Sequence, residues 1–512
     1  MLFNSYIFIL VFLPIVACVY FLASTHLHRQ LAISWLVIAS LFFYAWWNPV
    51  FLPIIIVSVL FNFFLGASIR TTKAKNPRYA LLLMLFGVAA NLMALGYYKY
   101  FNFFIDNLNF VFNLKISVTP IALPLAISFF TFQQITYLID AYNRGTKDYN
   151  FIHYTLFVTF FPQLIAGPIV HHADMMSQFD SDDAYHPRER NIQLGLSIFA
   201  IGLFKKIMLA DNIAPFSTPI FHAADTGISL SMLESWMGAA AFGLQVYFDF
   251  SAYTDMAIGS SRLFGIKLPI NFYSPYKSLN TGDLWRRWHM TLTRLLTAYV
   301  YTPISIASAR AAIAAGAGEQ ALFWRSAAYP IMVTLIIAGV WHGAAWNFVI
   351  FGALQGGMMI VNNLWRQFRK SSLHQNLKET TLVGRILARG LTSVCFIFSL
   401  VYFKASTTSG ALYLSELMLG LDGLSVSTKF VSPILFLQYA VPLFLIIYLM
   451  PNTQQLFESY EPSLEPKRNE HRWGLERINW APNWQWAAIC STMFAVSLLN
   501  MNRVSEFIYF QF

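Results

Sequence analysis

A single histidine interrupts one of the most apolar stretches of the chain. The run "IMVTLIIAGVWHGAAWNFVIFGALQGGMMIV", residues 331–361, holds one titratable side chain, His342, between Trp341 and Gly343. Ionisable groups in such surroundings are expensive to bury, which makes them functional suspects. Imidazole accepts a proton on one nitrogen while the other is held by a hydrogen bond, and it titrates near neutrality when unperturbed. That chemistry suits a general base; the competing reading is a neutral core histidine bonded to a neighbouring helix. The run is too long for one straight crossing. A tilt, or a break at Gly339 or Gly343, is expected to place the ring near mid-membrane, where Gly339 and Gly343 form a small-xxx-small face for close packing.

A second histidine, His289, lies in "NTGDLWRRWHMTLTRLLTAYVYTPI". At helical spacing Leu284, Trp288, Leu292, Leu295 and Tyr299 share one side, and Arg286, Arg287 and Arg294 project elsewhere. The pattern predicts an interfacial amphipathic helix with its arginines at the headgroups. His289, at the edge of the apolar side, could reach a buried polar cavity. Asp249 and Asp255, in "YFDFSAYTD", are expected to bond to Tyr, Arg or backbone, since no third metal ligand has sensible spacing. Lys205 and Lys206 read as snorkelling residues at a helix end. His171 and His172, read as neighbours on one helix, would point apart, a poor arrangement for a metal pair. Last comes the tail "FIYFQF", with Phe507-x-Tyr509-x-x-Phe512 and no charged side chain. Terminal segments are usually polar, so this one is expected to be buried, either as an aromatic-belt anchor or as a carrier of chemistry on the Tyr509 hydroxyl.

These residues need a scaffold, and the composition names its kind. Of the chain's 512 residues, 57% are hydrophobic, 17% aromatic and only 11% charged. A polytopic membrane protein is indicated. Apolar stretches long enough to span, which takes about 20 helical residues, run from Tyr6 to Ala23, Leu31 to Trp47 and Val50 to Ile69. Others lie near 79–98, 119–139, 151–170, 192–210, 230–248, 331–361, 386–403, 431–450 and 484–501. Several carry Pro, Gly or Asn, so about ten to twelve crossings are expected. The first stretch lacks a basic leader and a cleavage signal, so it reads as a retained helix. His26, His28 and Arg29 follow it, and Arg70, Lys73, Lys75 and Arg78 follow the third, which places the N-terminus outside under the positive-inside rule. The net charge of +10 then faces anionic lipid and gives no reason to expect nucleic acid. Cys18, Cys395 and Cys490 lack metal or disulfide spacing and read as packing residues. The hydrophilic segments are too short for a soluble catalytic domain.

Five segments in order along the chain resemble one family. They are "FFPQLIAGPIV" (160–170), "GLFKKIMLADN" (202–212), "YFDFSAYTDMAIGSSRLFGIKLPINFYSPY" (247–276), "LWRRWHMTLTRLLTAYVYTPI" (284–304) and "GVWHGAAWNFVIFGALQG" (339–356). Together they resemble the membrane-bound O-acyltransferases (MBOAT), in the bacterial branch of alginate O-acetylases, peptidoglycan O-acetyltransferase membrane subunits and teichoic acid D-alanyl transfer proteins. One departure is visible. After "YVYTPI" the family usually has a Gly-Gly turn and basic residues, whereas this chain has the Ala-rich "SIASARAAIAAGAGEQALFWRSAAYP" over 305–330.

The resemblance implies an all-α membrane domain spanning 1–512, with its helices in a ring around a central funnel or tunnel. Residues 1–150 would supply N-terminal helices, 151–365 the catalytic core, 366–506 C-terminal helices and 507–512 the tail. It implies His342 as catalytic base, His289 as a helper and Tyr509 as a transient acyl carrier, because a related small membrane peptide ends in F-x-Y-x-x-F. A phenol, with a pKa of about 10, leaves more readily than a sugar alcohol, so a tyrosyl ester stays reactive. The implied function is transfer of an acetyl or other short acyl group across a bacterial inner membrane to an exopolysaccharide or cell-wall glycan. The donor would be acetyl-CoA or a phosphopantetheine-linked acyl group, with no permanently bound cofactor and no metal. The partners would be membrane lipid, the glycan acceptor and a periplasmic or extracellular SGNH-type acyltransferase. A transporter with intramembrane histidines and a non-catalytic scaffold for a soluble acyltransferase are the other two readings.

Overall fold

The computed structural model describes residues 1–143, 150–376, 381–465, 472, 474–501 and 507–508. Among the described residues the regular structure is all helical, without a strand. Seven helical segments among the described residues are long and apolar enough to cross a membrane: Ile7–His26, Pro49–Lys73, Pro77–Phe112, Glu189–Asp225, Glu319–His342, Trp346–Ser371 and Leu382–Lys404. Three shorter apolar helices, Arg29–Ala45, Pro433–Leu449 and Trp484–Leu499, match further expected spans. Asparagines start several of them. Asn76 accepts the Tyr79 N–H and Asn483 the Trp486 N–H, each satisfying one of the donors a helix N-terminus leaves unpaired. Asn62 and Asn91 exchange two side-chain hydrogen bonds (3.1 and 2.7 Å) between neighbouring helices, polar glue where lipid supplies no partner.

Outward faces carry bare apolar side chains such as Phe64, Leu82, Phe86, Leu387 and Ile434, as lipid contact requires. The inside holds two buried clusters, one around Phe8, Phe43, Phe161 and Phe264, the other around Phe242, Trp288, Trp341 and Phe403. Helix Met232–Leu263 contributes to both and is buried along almost all of its length from Phe242 onward. A helix enclosed on every side is a central one. It exceeds the expected 230–248 span because its second half, with Asp249, Asp255 and Arg262, is polar in sequence yet buried in the fold.

Two other expected spans differ. Residues 151–170 form a helix only from Phe151 to Thr159, followed by a single turn at Phe161–Leu164 and extended chain, because Pro162, Gly167 and Pro168 cannot sustain the ladder. In the 119–139 stretch the helix begins at Ile127, past Pro120 and Pro124, and extends to Asn143. The Ala-rich departure from the family pattern folds as helix Thr302–Ala314, a short helix Glu319–Phe323 and a π-turn Trp324–Ala328 leading into the His342 helix. Cys490 is buried and Cys395 partly so, but Cys18 is exposed and so is no interior packing residue.

Candidate active site

The long apolar run breaks at Gly343. Helix Tyr329–His342 ends on the histidine, residues 343–345 are non-helical, and helix Trp346–Ser371 departs. Gly339 faces that second helix: a Cβ there would meet the Phe348 carbonyl oxygen at 2.1 Å and the Gly352 nitrogen at 2.9 Å. The two helices touch backbone to backbone, and the break between them leaves the last carbonyls of the His342 helix without intrahelical donors. Lys99 and Tyr100 supply donors. Lys99 Nζ donates to the carbonyl of Trp341 at 2.5 Å and to that of His342 at 3.4 Å, and Tyr100 Oη donates to that of Val340 at 2.9 Å. The ammonium also suits the negative end of the helix dipole. Both residues lie in the π-turn Gly96–Tyr100, a feature often found at functional sites. The imidazole of His342 is buried, with the rings of Trp341 and Phe403 at 4.9 and 5.0 Å.

His289 does not lie on a continuous amphipathic helix. Chain from Thr281 to Trp285 is helical, Arg286–His289 turns, and a new helix starts at Met290. His289 has φ +41° and ψ +53°, the left-handed region that a non-glycine residue occupies at a cost of about 1–3 kcal/mol, typically at functional sites. Asn271 fixes it there. The Asn271 carbonyl accepts the Met290 N–H at 3.0 Å, and its side-chain Oδ1 accepts the Thr291 hydroxyl at 2.6 Å and lies 3.2 Å from His289 Nδ1. A carbonyl oxygen can only accept, so Nδ1 carries the proton and, in the neutral ring, Nε2 the lone pair. The arginines of this segment bind within the protein as well as marking its surface: Arg287 pairs with Asp283 and Arg294 with Glu465, while Arg286 is exposed.

These two breaks bring the histidines together. The ring centroids of His289 and His342 lie 6.3 Å apart, both buried, with Trp341 against each. A surface recess of about 420 Å³, lined among others by Lys267, Ile270, Tyr273 and Glu465, adjoins a smaller cavity that shares Ile270 and Gln454 and reaches Asn271.

Residues 140–404 match the family model described as "MBOAT, membrane-bound O-acyltransferase family". A peptidoglycan O-acetyltransferase of Helicobacter pylori is 40% identical over 452 residues, covering 83% of this chain and 81% of that one. The chain belongs to the membrane-bound O-acyltransferase family. A probable alginate O-acetylase AlgI of Azotobacter vinelandii is 35% identical over 371 residues (72% and 69% of the two chains). A teichoic acid D-alanyltransferase of Streptococcus thermophilus is 25% identical over 263 residues (50% and 61%). This O-acyltransferase is therefore a multi-pass membrane enzyme whose matched region contains both histidines.

The lysines of the MBOAT segment "GLFKK" do not snorkel. Lys205 Nζ lies 2.8 Å from Asp255, whose Oδ2 also accepts the Thr453 hydroxyl at 2.6 Å. Lys206, fully enclosed, bridges Asp249 at 2.7 Å and Asp211 at 2.8 Å. Asp249 and Asp255 thus pair with lysines, which sequence spacing did not indicate because the partners lie more than forty residues away. His171 and His172 also depart from expectation. His171 precedes helix His172–Phe179 in extended conformation, so both Nε2 atoms reach Asp140 Oδ2, at 2.6 and 3.2 Å, alongside the Tyr299 hydroxyl at 2.9 Å. This trio has the donor set and closeness for a metal ion. However, His171 Nδ1 accepts the Ala173 N–H at 3.3 Å, so the neutral ring carries its proton on Nε2 and donates to Asp140, a hydrogen-bonded rather than ligating arrangement.

At the tail, Phe507 and Ile508 are buried; Tyr509 and Phe512 lie outside the described residues. Sequence reading missed Lys99, Tyr100 and Asn271. The chemical signal for Lys99 was available, a charge inside an apolar stretch between Tyr98 and Tyr100.

Proposed function

We propose that this protein is an O-acetyltransferase of the bacterial inner membrane that carries an acetyl group outward for modification of a cell-wall glycan or an alginate-like exopolysaccharide. The observation that carries the reading is the buried His289–His342 pair, placed by two chain breaks inside the segment matched by the acyltransferase family. The relatives' names, peptidoglycan O-acetyltransferase and alginate O-acetylase, supply the substrate classes.

The reaction we assign begins with a cytoplasmic thioester, acetyl-CoA or a phosphopantetheine-linked acyl group, approaching from the side of the recess lined by Lys267, Ile270 and Tyr273. His342 takes the phenolic proton of Tyr509 as the oxygen attacks the acyl carbon. The C–O bond forms, the C–S bond breaks, and the departing sulfur takes up the proton, either from His342 or through Nε2 of His289. Thiol and tyrosyl ester result, with no net change in charge. An SGNH-type acyltransferase outside the membrane then moves the acyl group from Tyr509 to a glycan hydroxyl, restoring the phenol. The Lys and Arg residues after the third apolar stretch, Arg70, Lys73, Lys75 and Arg78, support this direction under the positive-inside rule.

The test is glycan O-acetyl content in cells lacking the gene and complemented with wild type, His342→Ala or Tyr509→Phe. Only the wild type should restore acetylation. Restoration by both variants would return the protein to the role of scaffold.

A further inference from the structure

Asp249 is a buried carboxylate with its two oxygens committed to different partners. Oδ1 lies 2.7 Å from Lys206 Nζ, and Oδ2 accepts the main-chain N–H of Ile508 at 2.9 Å. Around this bond Phe507 and Ile508 are enclosed, 1% and 3% exposed. The Phe507 ring stands edge-on to Tyr253 at 4.8 Å and lies 4.7 Å from the Lys206 ammonium, a cation–π distance. Asp249 and Tyr253 are one turn apart on the central helix, so a single helix face receives both the tail's backbone and its first aromatic ring. Phe507 joins one buried cluster and Ile508 the other, which puts these two residues between the two halves of the interior. Phe250, the residue after Asp249, stands 4.9 Å from His289.

We propose that Asp249, oriented by Lys206, is a positioning residue that clamps Phe507–Ile508 by the backbone and so anchors the stretch of chain that immediately precedes the carrier tyrosine. The proposal rests on the reading of Tyr509 as acyl carrier, and it adds the device that docks it. A carboxylate bonded to a main-chain N–H recognises chain placement and not side-chain type, so it fixes where Phe507 and Ile508 sit without using a side chain of the segment. Lys206 retains Asp211 when Asp249 is lost, so removing the clamp does not strand a buried ammonium.

The donor can be deleted alone. Ile508→Pro removes the N–H and Ile508→Val keeps it; Asp249→Ala removes the acceptor and serves where the proline variant does not fold. Each is made in full-length protein free of Cys18, Cys395 and Cys490 and carrying Gln511→Cys as a reporter. Two quantities are read: the rate of Gln511→Cys labelling by a water-soluble maleimide, and the single-turnover rate of Tyr509 esterification from labelled acetyl-CoA, with donor affinity measured in parallel. We expect Ile508→Pro and Asp249→Ala to raise labelling and to lower esterification by about tenfold or more, the value of one charge-assisted hydrogen bond. Donor affinity stays unchanged, and Ile508→Val behaves as wild type. A general structural defect would instead weaken donor binding along with esterification. Labelling that rises in the two variants while wild-type Tyr509 never becomes esterified supports the clamp and removes the carrier reading. Labelling and esterification in both variants equal to those of Ile508→Val would overturn the clamp.

Discussion

His289 and His342 face one another across 6.3 Å, ring centroid to ring centroid, and each owes its position to an interrupted helix. His342 is the last residue of its helix; His289 is the left-handed residue before another begins. A reacting hydroxyl held between them can lose its proton to one ring, which passes it to the leaving group either directly or by way of the Nε2 lone pair of the other. Residues acting as one unit give non-additive losses. His289→Ala is expected to lower the rate of acyl transfer by about 10²–10⁴-fold, and the His289→Ala/His342→Ala double variant to be no slower than the slower single variant. Fully multiplicative losses would show that the two rings act independently.

Lys99 closes the end of the His342 helix from a sequence distance of more than 240 residues. Lys99→Met should leave the Trp341 and His342 carbonyls short of their donor, destabilising the protein by about 1–3 kcal/mol and slowing transfer; Lys99→Arg should retain much of both. Thermal unfolding in detergent and single-turnover rates check this. A methionine variant indistinguishable from wild type would remove Lys99 from the site.

How much of this was legible beforehand depends on range. His342 stood out because a lone imidazole in an apolar run violates local composition, and of the tilt or the breaks at Gly339 or Gly343 left open beside it, the chain takes the break at Gly343. His289 was singled out, but on a continuous helix: its periodicity suits one, and the long-range bonds from Asn271 that impose the left-handed turn leave no local trace. Lys205, Lys206, Asp249 and Asp255 were each visible as charges, yet their pairing is set by how two helices pack. His171 and His172 misled for the same reason, since the helix starts between them and lets both rings reach Asp140.

Gly339→Ala tests the contact between the helices flanking the break. Its Cβ would overlap the Phe348 carbonyl, and backbone yields less than a side chain. Overpacking of this kind costs about 1–3 kcal/mol, so the melting temperature and the transfer rate should both fall. Unchanged values would mean that the helices separate freely and do not hold His342.

The Asp140 cluster is expected to work by hydrogen bonding. Asp140→Asn places an amide NH₂ among donors from His171, His172 and Tyr299 and should destabilise the protein by about 1–3 kcal/mol. Chelators should leave stability and activity unchanged, and elemental analysis of purified protein should find no stoichiometric zinc. One zinc per chain, lost in Asp140→Asn, would establish a metal site instead.

The central claim is that His342 takes the proton from the hydroxyl that accepts the acyl group. Membranes containing wild type or His342→Ala are given labelled acetyl-CoA, and label on the protein is followed over a single turnover by mass spectrometry of the C-terminal peptide. The account predicts label on Tyr509 in the wild type and a rate lower by about 10²–10⁴-fold in His342→Ala, with donor still bound. Label accumulating on the alanine variant at the wild-type rate would contradict it.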